Sequence, residues 1–121
     1  EQAIAIGACK YINIKTGRVG GLSNAIAIHD LARNAGIPVW IGGMLESAVG
    51  SAISVELATL QNFTYPGDLF PSSRFYTQDI AKPPLKATNK LTFSPFTNAL
   101  PIPDPKRLAK LTIRSKSVTP T

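Results

Sequence analysis

Apolar and polar positions change over in short blocks along the first 65 residues. Lys10 to Lys15 reads K-Y-I-N-I-K, in which Tyr11, Ile12 and Ile14 carry strand propensity and Thr16-Gly17 ends the run. Past Gly20-Gly21, Ser23 is the expected N-cap of a helix over about 23–35. Ile28, Leu31, Ala32 and Ala35 keep helical spacing in it, and Gly36 stops it. Pro38 to Ile41 is a second apolar run, suited to a strand buried on both faces, and closes with Gly42-Gly43. From about Glu46 to Leu60, the residues Val49, Ile53, Leu57 and Leu60 recur at helical intervals and predict a second helix. Asn62 to Tyr65 is a third candidate strand, stopped by Pro66-Gly67-Asp68.

Short strands alternating with helices through Gly-containing loops predict βαβ units and a parallel sheet, so the fold class is α/β. In such units the C-terminal ends of all strands lie on one side, where α/β enzymes keep their sites. Lys15, the Gly42-Gly43 turn and Asp68 should therefore face a common region. Beyond Ile80, prolines at 83, 84, 95, 101, 103, 105 and 120 exclude long regular elements. A short strand near Leu91–Phe93, a helical turn near Asp104–Lys110 and a strand near Leu111–Arg114 are expected there.

Composition narrows the class. The 121 residues are 44% hydrophobic and 17% charged with a mean hydropathy of +0.07, which suits one packed globular domain. No apolar run approaches a membrane span, and neither a basic-then-apolar leader nor an initiator Met precedes Glu1, so the chain is expected to be a segment of something longer. A lone Cys9 and a lone His29 exclude an internal disulfide and a structural zinc site of the usual kind, which favours a reducing compartment such as the cytoplasm. A plastid is the alternative location.

The net charge of +6 is unevenly spread. Residues 1–80 carry five basic and six acidic side chains, whereas 81–121 carry eight basic ones against Asp104 alone. No aromatic interleaving or recognised binding motif accompanies that tail, so it is expected to be solvated surface rather than a contact for nucleic acid.

Lys15 is the first candidate for chemistry. A lysine closing a buried parallel strand brings an ammonium to the edge of a low-dielectric interior, where burial would suit it to general base or acid work. On the residues alone the plainer reading is a strand-end lysine that reaches solvent. The loop Thr16 to Gly21 could cradle an anion, although it matches neither a Walker A loop nor a dinucleotide fingerprint. Gly42-Gly43-Met44-Leu45-Glu46 lets backbone approach a ligand and sets a carboxylate opposite Lys15, or else makes a tight turn with Glu46 in the first helical turn. His29 is expected on the helix surface. Asp68 and Asp79 could be turn formers or catalytic acids.

Three strings carry a family resemblance: Tyr11-Ile12-Asn13-Ile14-Lys15-Thr16-Gly17-Arg18-Val19-Gly20-Gly21-Leu22, Gly36-Ile37-Pro38-Val39-Trp40-Ile41-Gly42-Gly43-Met44-Leu45-Glu46-Ser47, and Asn62-Phe63-Thr64-Tyr65-Pro66-Gly67-Asp68. In order and spacing they resemble the C-terminal part of the o-succinylbenzoate synthase and N-acylamino acid racemase group of the enolase superfamily. The match runs from about Ile4 to Ile80 and continues faintly to about Ile113. The tail departs from the group's Pro-Gly-x-Gly segment, reading Phe96-Thr97-Asn98-Ala99-Leu100-Pro101 instead.

The resemblance implies a modified TIM barrel. This chain would supply its sixth strand ending at Lys15, its seventh ending at Gly42-Gly43 and its eighth ending near Pro66. Residues 1–80 would be barrel, and 81–121 a basic, Pro-rich extension packing on the barrel or on a cap domain. The implied activity is Mg²⁺-dependent dehydration through an enolate in menaquinone or phylloquinone biosynthesis. The alternatives are N-acylamino acid racemase or a related muconate-cycloisomerase-like activity. Lys15 matches the family's sixth-strand lysine, and Gly42, Gly43, Met44 and Glu46 would line the pocket for a small carboxylate substrate. The family's metal-binding carboxylates and its second lysine lie upstream of anything present here, so no metal ligand is expected in this chain. Three strands with two helices also leave an open barrel edge, which the missing N-terminal half would fill; a homo-oligomer is implied for the complete enzyme only. Competing readings are a non-catalytic barrel remnant acting as an interaction module and, more remotely, nucleic-acid binding through 82–116.

Overall fold

The computed structural model describes residues 1–90, 92–96 and 98–118. A short helix α1 (Gln2–Ala5) leads into β1 (Ile12–Ile14), α2 (Leu22–Asn34), β2 (Val39–Ile41) and α3 (Ala48–Leu57). A 3₁₀ turn (Ser72–Arg74), β3 (Ala81–Lys82), β4 (Ile102–Pro103) and α4 (Pro105–Leu111) follow. Strands β1 and β2 pair in parallel, with Ile12 beside Val39, Asn13 beside Trp40 and Ile14 beside Ile41.

The third strand expected at 62–65 is reduced to two isolated parallel bridges, Phe63 to Val39 and Asp68 to Gly42. Four residues lie between the bridges on one side and two on the other, so the segment bulges away from β2 there. Pro66 lies in that bulge and has no N–H to offer a ladder. Backbone bonds from the Val39 N–H to Asn62 O (3.0 Å) and from the Asp68 N–H to Ile41 O (2.9 Å) still hold both ends against β2.

Strand alternation sends Ile14, Val39 and Ile41 to one face, where they form a core with Ala25, Ala32 and Leu57. Asn13, Lys15, Trp40 and Gly42 share the opposite parity. Helix α2 starts one residue earlier than expected, and its N-cap is Gly21, two residues before Ser23, because Gly21 at φ 109° can turn the chain directly into the helix. Gly36 ends it as expected. At φ 68° it donates to Arg33 O (3.0 Å) while the Ile37 N–H reaches Ala32 O (2.9 Å), the paired bonds of a Schellman motif.

The buried stripe of α2 is Ala25, His29 and Ala32, whereas Leu31 and Ala35 are exposed. The two alanines are small enough to let an imidazole pack between helix and sheet. His29, expected on the surface, is accordingly buried, stacked on Phe63 at 5.5 Å between ring centroids with Nδ1 2.9 Å from Asp30 Oδ1.

Helix α3 is shorter than 46–60 and is buried nearly all round through Ala48, Ser51, Ala52, Ser54, Val55 and Leu57. Leu57 faces the sheet core, while Ala48 and Val55 join a second cluster with Ala81 and Leu85, packed by Phe93 and Phe96. The segment after residue 80 thus covers the side of α3 away from the sheet. It is tied there by the Phe96 N–H donating to Glu56 Oε1 and by the β3–β4 pair.

The expected strand near 91–93 includes Leu91, which lies outside the described residues. The strand expected near 111–114 is absent: α4, capped by Asp104 accepting from the Arg107 N–H (3.0 Å), runs through Leu111, and Ile113 beyond it is fully exposed. Among the described residues no helix is long and apolar enough to cross a membrane.

Candidate active site

The register of β1 and β2, continued one step, sets Lys15 beside Gly42, and the Gly42 N–H donates to Ile14 O at 2.8 Å. The Lys15 stem leaves the strand on the same face as Asn13. Its ammonium turns across to the next strand end, where Nζ donates to Gly43 O at 2.7 Å. The Asp68 carboxylate, from the segment bridged to Gly42, stands 3.9 Å from Nζ. The ends of β1 and β2 and the bridged segment at Asp68 therefore converge on one cation, and Lys15, the Gly42-Gly43 turn and Asp68 do face a common region. The Lys15 side chain is a quarter exposed, and one carbonyl bond leaves two of its three N–H donors free for an incoming acceptor.

The two glycines are needed for this convergence. A Cβ on Gly43 would lie 2.1 Å from Asp68 O, and one on Gly42 would lie 2.6 Å from both heteroatoms of the Asn13 carboxamide and 2.7 Å from Lys15 Cγ. The close approaches seen are thus to neighbouring strands.

Glu46 does not take part in the first helical turn, because Ser47 is the N-cap of α3. Nor does it reach the lysine: its Oε2 accepts from the Met44 N–H at 2.6 Å and rigidifies the loop that carries Met44. The carboxylate facing Lys15 is Asp68. Met44 and Leu45 are exposed, with Leu45 O accepting from Tyr76 Oη at 2.6 Å. Gly43, Met44, Leu45 and Asp68 line a cavity of about 240 Å³ with Phe70 and Phe75. These two aromatics were missed in the sequence, since no periodic element carries them.

The loop after Lys15 is not an open anion cradle. Its Arg18 and Val19 N–H groups donate to Lys15 O, and that of Gly21 donates to Thr16 O. Asp79 is a structural carboxylate: buried, it accepts from the Ala48 N–H at the start of α3 (2.8 Å), from the Ala81 N–H (2.8 Å) and from Ser72 Oγ. Among the described residues no three His, Cys, Asp or Glu side chains are grouped to hold a metal ion. With Asp68 turned to an ammonium and Glu46 to a backbone N–H, the donor set of this chain does not fit Mg²⁺.

The family described as "Enolase C-terminal domain-like" matches residues 1–94. An o-succinylbenzoate synthase from Geobacillus kaustophilus is 48% identical over 91 residues, covering 75% of this chain and 24% of that protein. An N-succinylamino acid racemase from Amycolatopsis sp is 46% identical over 105 residues, covering 85% of this chain and 28% of that protein. A crystal structure of an enolase-superfamily member from Listeria innocua has a TM-score of 0.78 at 39% identity, covering 90% of this chain and 30% of that one. The chain spans about a quarter of the length of the curated relatives it matches. Matched over most of its length in sequence and in fold, the chain belongs to the enolase C-terminal domain-like family.

Proposed function

We propose that this chain is the sixth-to-eighth-strand part of the barrel of an o-succinylbenzoate synthase, in which Lys15 faces the reacting carboxylate. The observation that carries the reading is the Lys15 ammonium, held 2.7 Å from the carbonyl at one strand end and 3.9 Å from the carboxylate at another. Residues 1–80 are assigned to the barrel and 81–121 to an extension packed on it, supported by the second core cluster around Ala81 and Leu85.

The reaction is a dehydration serving menaquinone or phylloquinone biosynthesis. A base from outside this chain takes the proton from the carbon next to the substrate carboxylate, the electron pair moves onto the carboxylate oxygens as an enolate, and the return of that pair expels the hydroxyl, which leaves as water with the proton the same base gives back. A fixed cation aimed at the oxygens where charge develops lowers that barrier, and losing one such donor typically costs about 10²–10³ in turnover. Lys15 supplies the cation. Gly42, Gly43 and Met44 line the pocket, and Glu46 holds the Met44 loop in shape. Mg²⁺ would depend on ligands outside this chain.

The racemase reading is favoured by the 105-residue match to the Amycolatopsis enzyme. There Lys15 would exchange a proton on one face of the carbon while a lysine from outside the chain works on the other.

The test uses the complete protein carrying this chain, assayed for dehydration of the cyclohexadiene carboxylate precursor of o-succinylbenzoate and for racemisation of an N-succinylamino acid, each with an EDTA control. Lys15→Ala should lower the native activity at least about a hundredfold with the fold retained by circular dichroism. Full turnover in that variant removes Lys15 from the mechanism, and absence of both activities in the native protein refutes the enzyme reading.

A further inference from the structure

Lys15 and Asn13 leave β1 on the same face, two residues apart, and both lie against Gly42 of the neighbouring strand end. The Asn13 carboxamide packs against the bare Gly42 Cα so closely that a Cβ there would be 2.6 Å from Nδ2 and 2.6 Å from Oδ1. The same Cβ would be 2.7 Å from Lys15 Cγ, the point where the stem turns toward Gly43 O. Asn13 Nδ2 is shut off from solvent and has no hydrogen-bond partner among the described residues. No hydrogen bond fixes that nitrogen, and packing against Gly42 is the contact that places it. A buried donor left unpaired is costly, and a group doing nothing else at that position would be better apolar.

The geometry points to Gly42 and Asn13 as positioning residues for Lys15: the bare Cα of Gly42 is the floor on which the Asn13 carboxamide and the Lys15 stem rest together. This rests on the reading of Lys15 given above and changes the role of Gly42 within it, from lining the substrate to setting the lysine. Ordinary carbon contacts lie near 3.5–4.0 Å, so a methyl at Gly42 would drive both side chains back by about 1 Å. A displacement of that size at a catalytic group costs about a hundredfold.

Two readouts on the complete protein separate this inference from the proposed activity. One is the side-chain signal of ¹³C-labelled Lys15, assigned by its loss in Lys15→Arg. The other is kcat and KM for whichever of the two reactions the protein performs. Gly42→Ala should move the Lys15 signal and lower kcat about a hundredfold with little change in KM. Asn13→Ala should move the signal by itself. The double variant Asn13→Ala/Gly42→Ala should lose less than the product of the two single losses, because the deleted carboxamide makes part of the room that the methyl needs while the contact with Lys15 Cγ remains. A raised KM with unchanged kcat in Gly42→Ala would instead mean direct substrate contact and overturn the inference. So would losses that multiply in the double variant, or an Asn13→Ala protein whose Lys15 signal stays in place. If the protein shows neither activity, the functional reading fails, while the Lys15 signal still decides whether Gly42 and Asn13 position it.

Discussion

Replacing Asp79 with alanine tests how the segment after residue 68 controls the loop that carries Met44. The carboxylate is buried and accepts from the Ala48 N–H, the Ala81 N–H and Ser72 Oγ, so it joins the start of α3 to β3 and to the 3₁₀ turn. Ser72 can rotate its hydroxyl to another acceptor, but the two amides cannot move. Stranding two buried donors that had bonded to a charged group should cost about 3–4 kcal/mol locally. The lost anion at the α3 N-terminus adds a few tenths more, through the partial positive charge of the unpaired N–H groups there. At about 1.4 kcal/mol per decade, the opening equilibrium rises by a factor of several hundred. Arg107 is a built-in control, since its Nη1 bonds the backbone carbonyls of Asp79 and Ala81, which the substitution leaves untouched. Hydrogen exchange read by mass spectrometry on the complete protein is the assay, comparing peptides that cover residues 43–55 and 79–83 with one covering 22–34. Exchange should accelerate by about two to three decades in the first two and stay unchanged in the third. Asp79→Asn, which keeps one acceptor oxygen, should fall between. Unaltered exchange at 43–55 in the alanine variant would refute the reasoning, because water would then satisfy both amides as well as the carboxylate does.

Gly43→Ala should lower the denaturation midpoint by more than Gly36→Ala. Its Cβ meets backbone at Asp68 O and would pry apart the bridge beside Lys15, an overpacking cost of about 1–3 kcal/mol or more. Gly36 has open space around it and loses only the left-handed preference at φ 68°, about 1–2 kcal/mol; the reverse order in urea melts would contradict this. Acid should release α4. The bond from Lys82 Nζ, first, and the Arg107 N–H hold the Asp104 carboxyl below the usual carboxylate range. The stability it lends is present above the ordinary carboxylate pKa and is lost as pH falls through its own lower value. Proteolytic cleavage after Lys106 or Lys110 in pulsed acid exposure should therefore rise in that window, and Asp104→Asn should remove the pH dependence. Tyr65 is held above the ordinary phenol range by its hydrogen bond to Tyr11, so Tyr11→Phe should bring its ultraviolet titration to lower pH.

What the sequence made legible follows how local each cause is. The ends of β1 and β2 and the stop at Gly36 were readable because a glycine or a lysine beside an apolar run fixes them within a few residues. The gathering of Lys15, Gly42-Gly43 and Asp68 followed from parallel topology alone. Long-range packing hid the rest. The stripe of α2 was right at Ala32, which is buried, and at Ile28, which packs on the core, but wrong at Leu31 and Ala35, which are exposed while Ala25 and His29 fit beside the sheet. Helix α3 showed one apolar face in sequence, but its serines and alanines are buried too, under a proline-rich segment whose path no periodicity reveals. Asp79 and Asp68 were indistinguishable as sequence, each an acid in a turn region. One ended beneath a helix N-terminus and the other beside an ammonium.

That division bears on how the site works. Only the strand-end geometry around Lys15 is set by the parallel pair itself, through a register that continues from Ile14 beside Ile41 to Lys15 beside Gly42. The loop that follows, Met44 to Ser47, takes its shape from the far side: Leu45 O is held by Tyr76, and the Ala48 N–H by Asp79. The lysine and the Met44 loop therefore answer to different parts of the chain. Under the proposed activity, substitutions in 72–82 should alter which substrate is accepted, through loop position, while leaving the ammonium bonded to Gly43 O. Substitutions at Asn13 or Gly42 should do the opposite, lowering turnover for every substrate alike. A Tyr76→Phe variant that slowed all substrates equally, with the Lys15 signal displaced, would show that the two halves of the site are one mechanical unit.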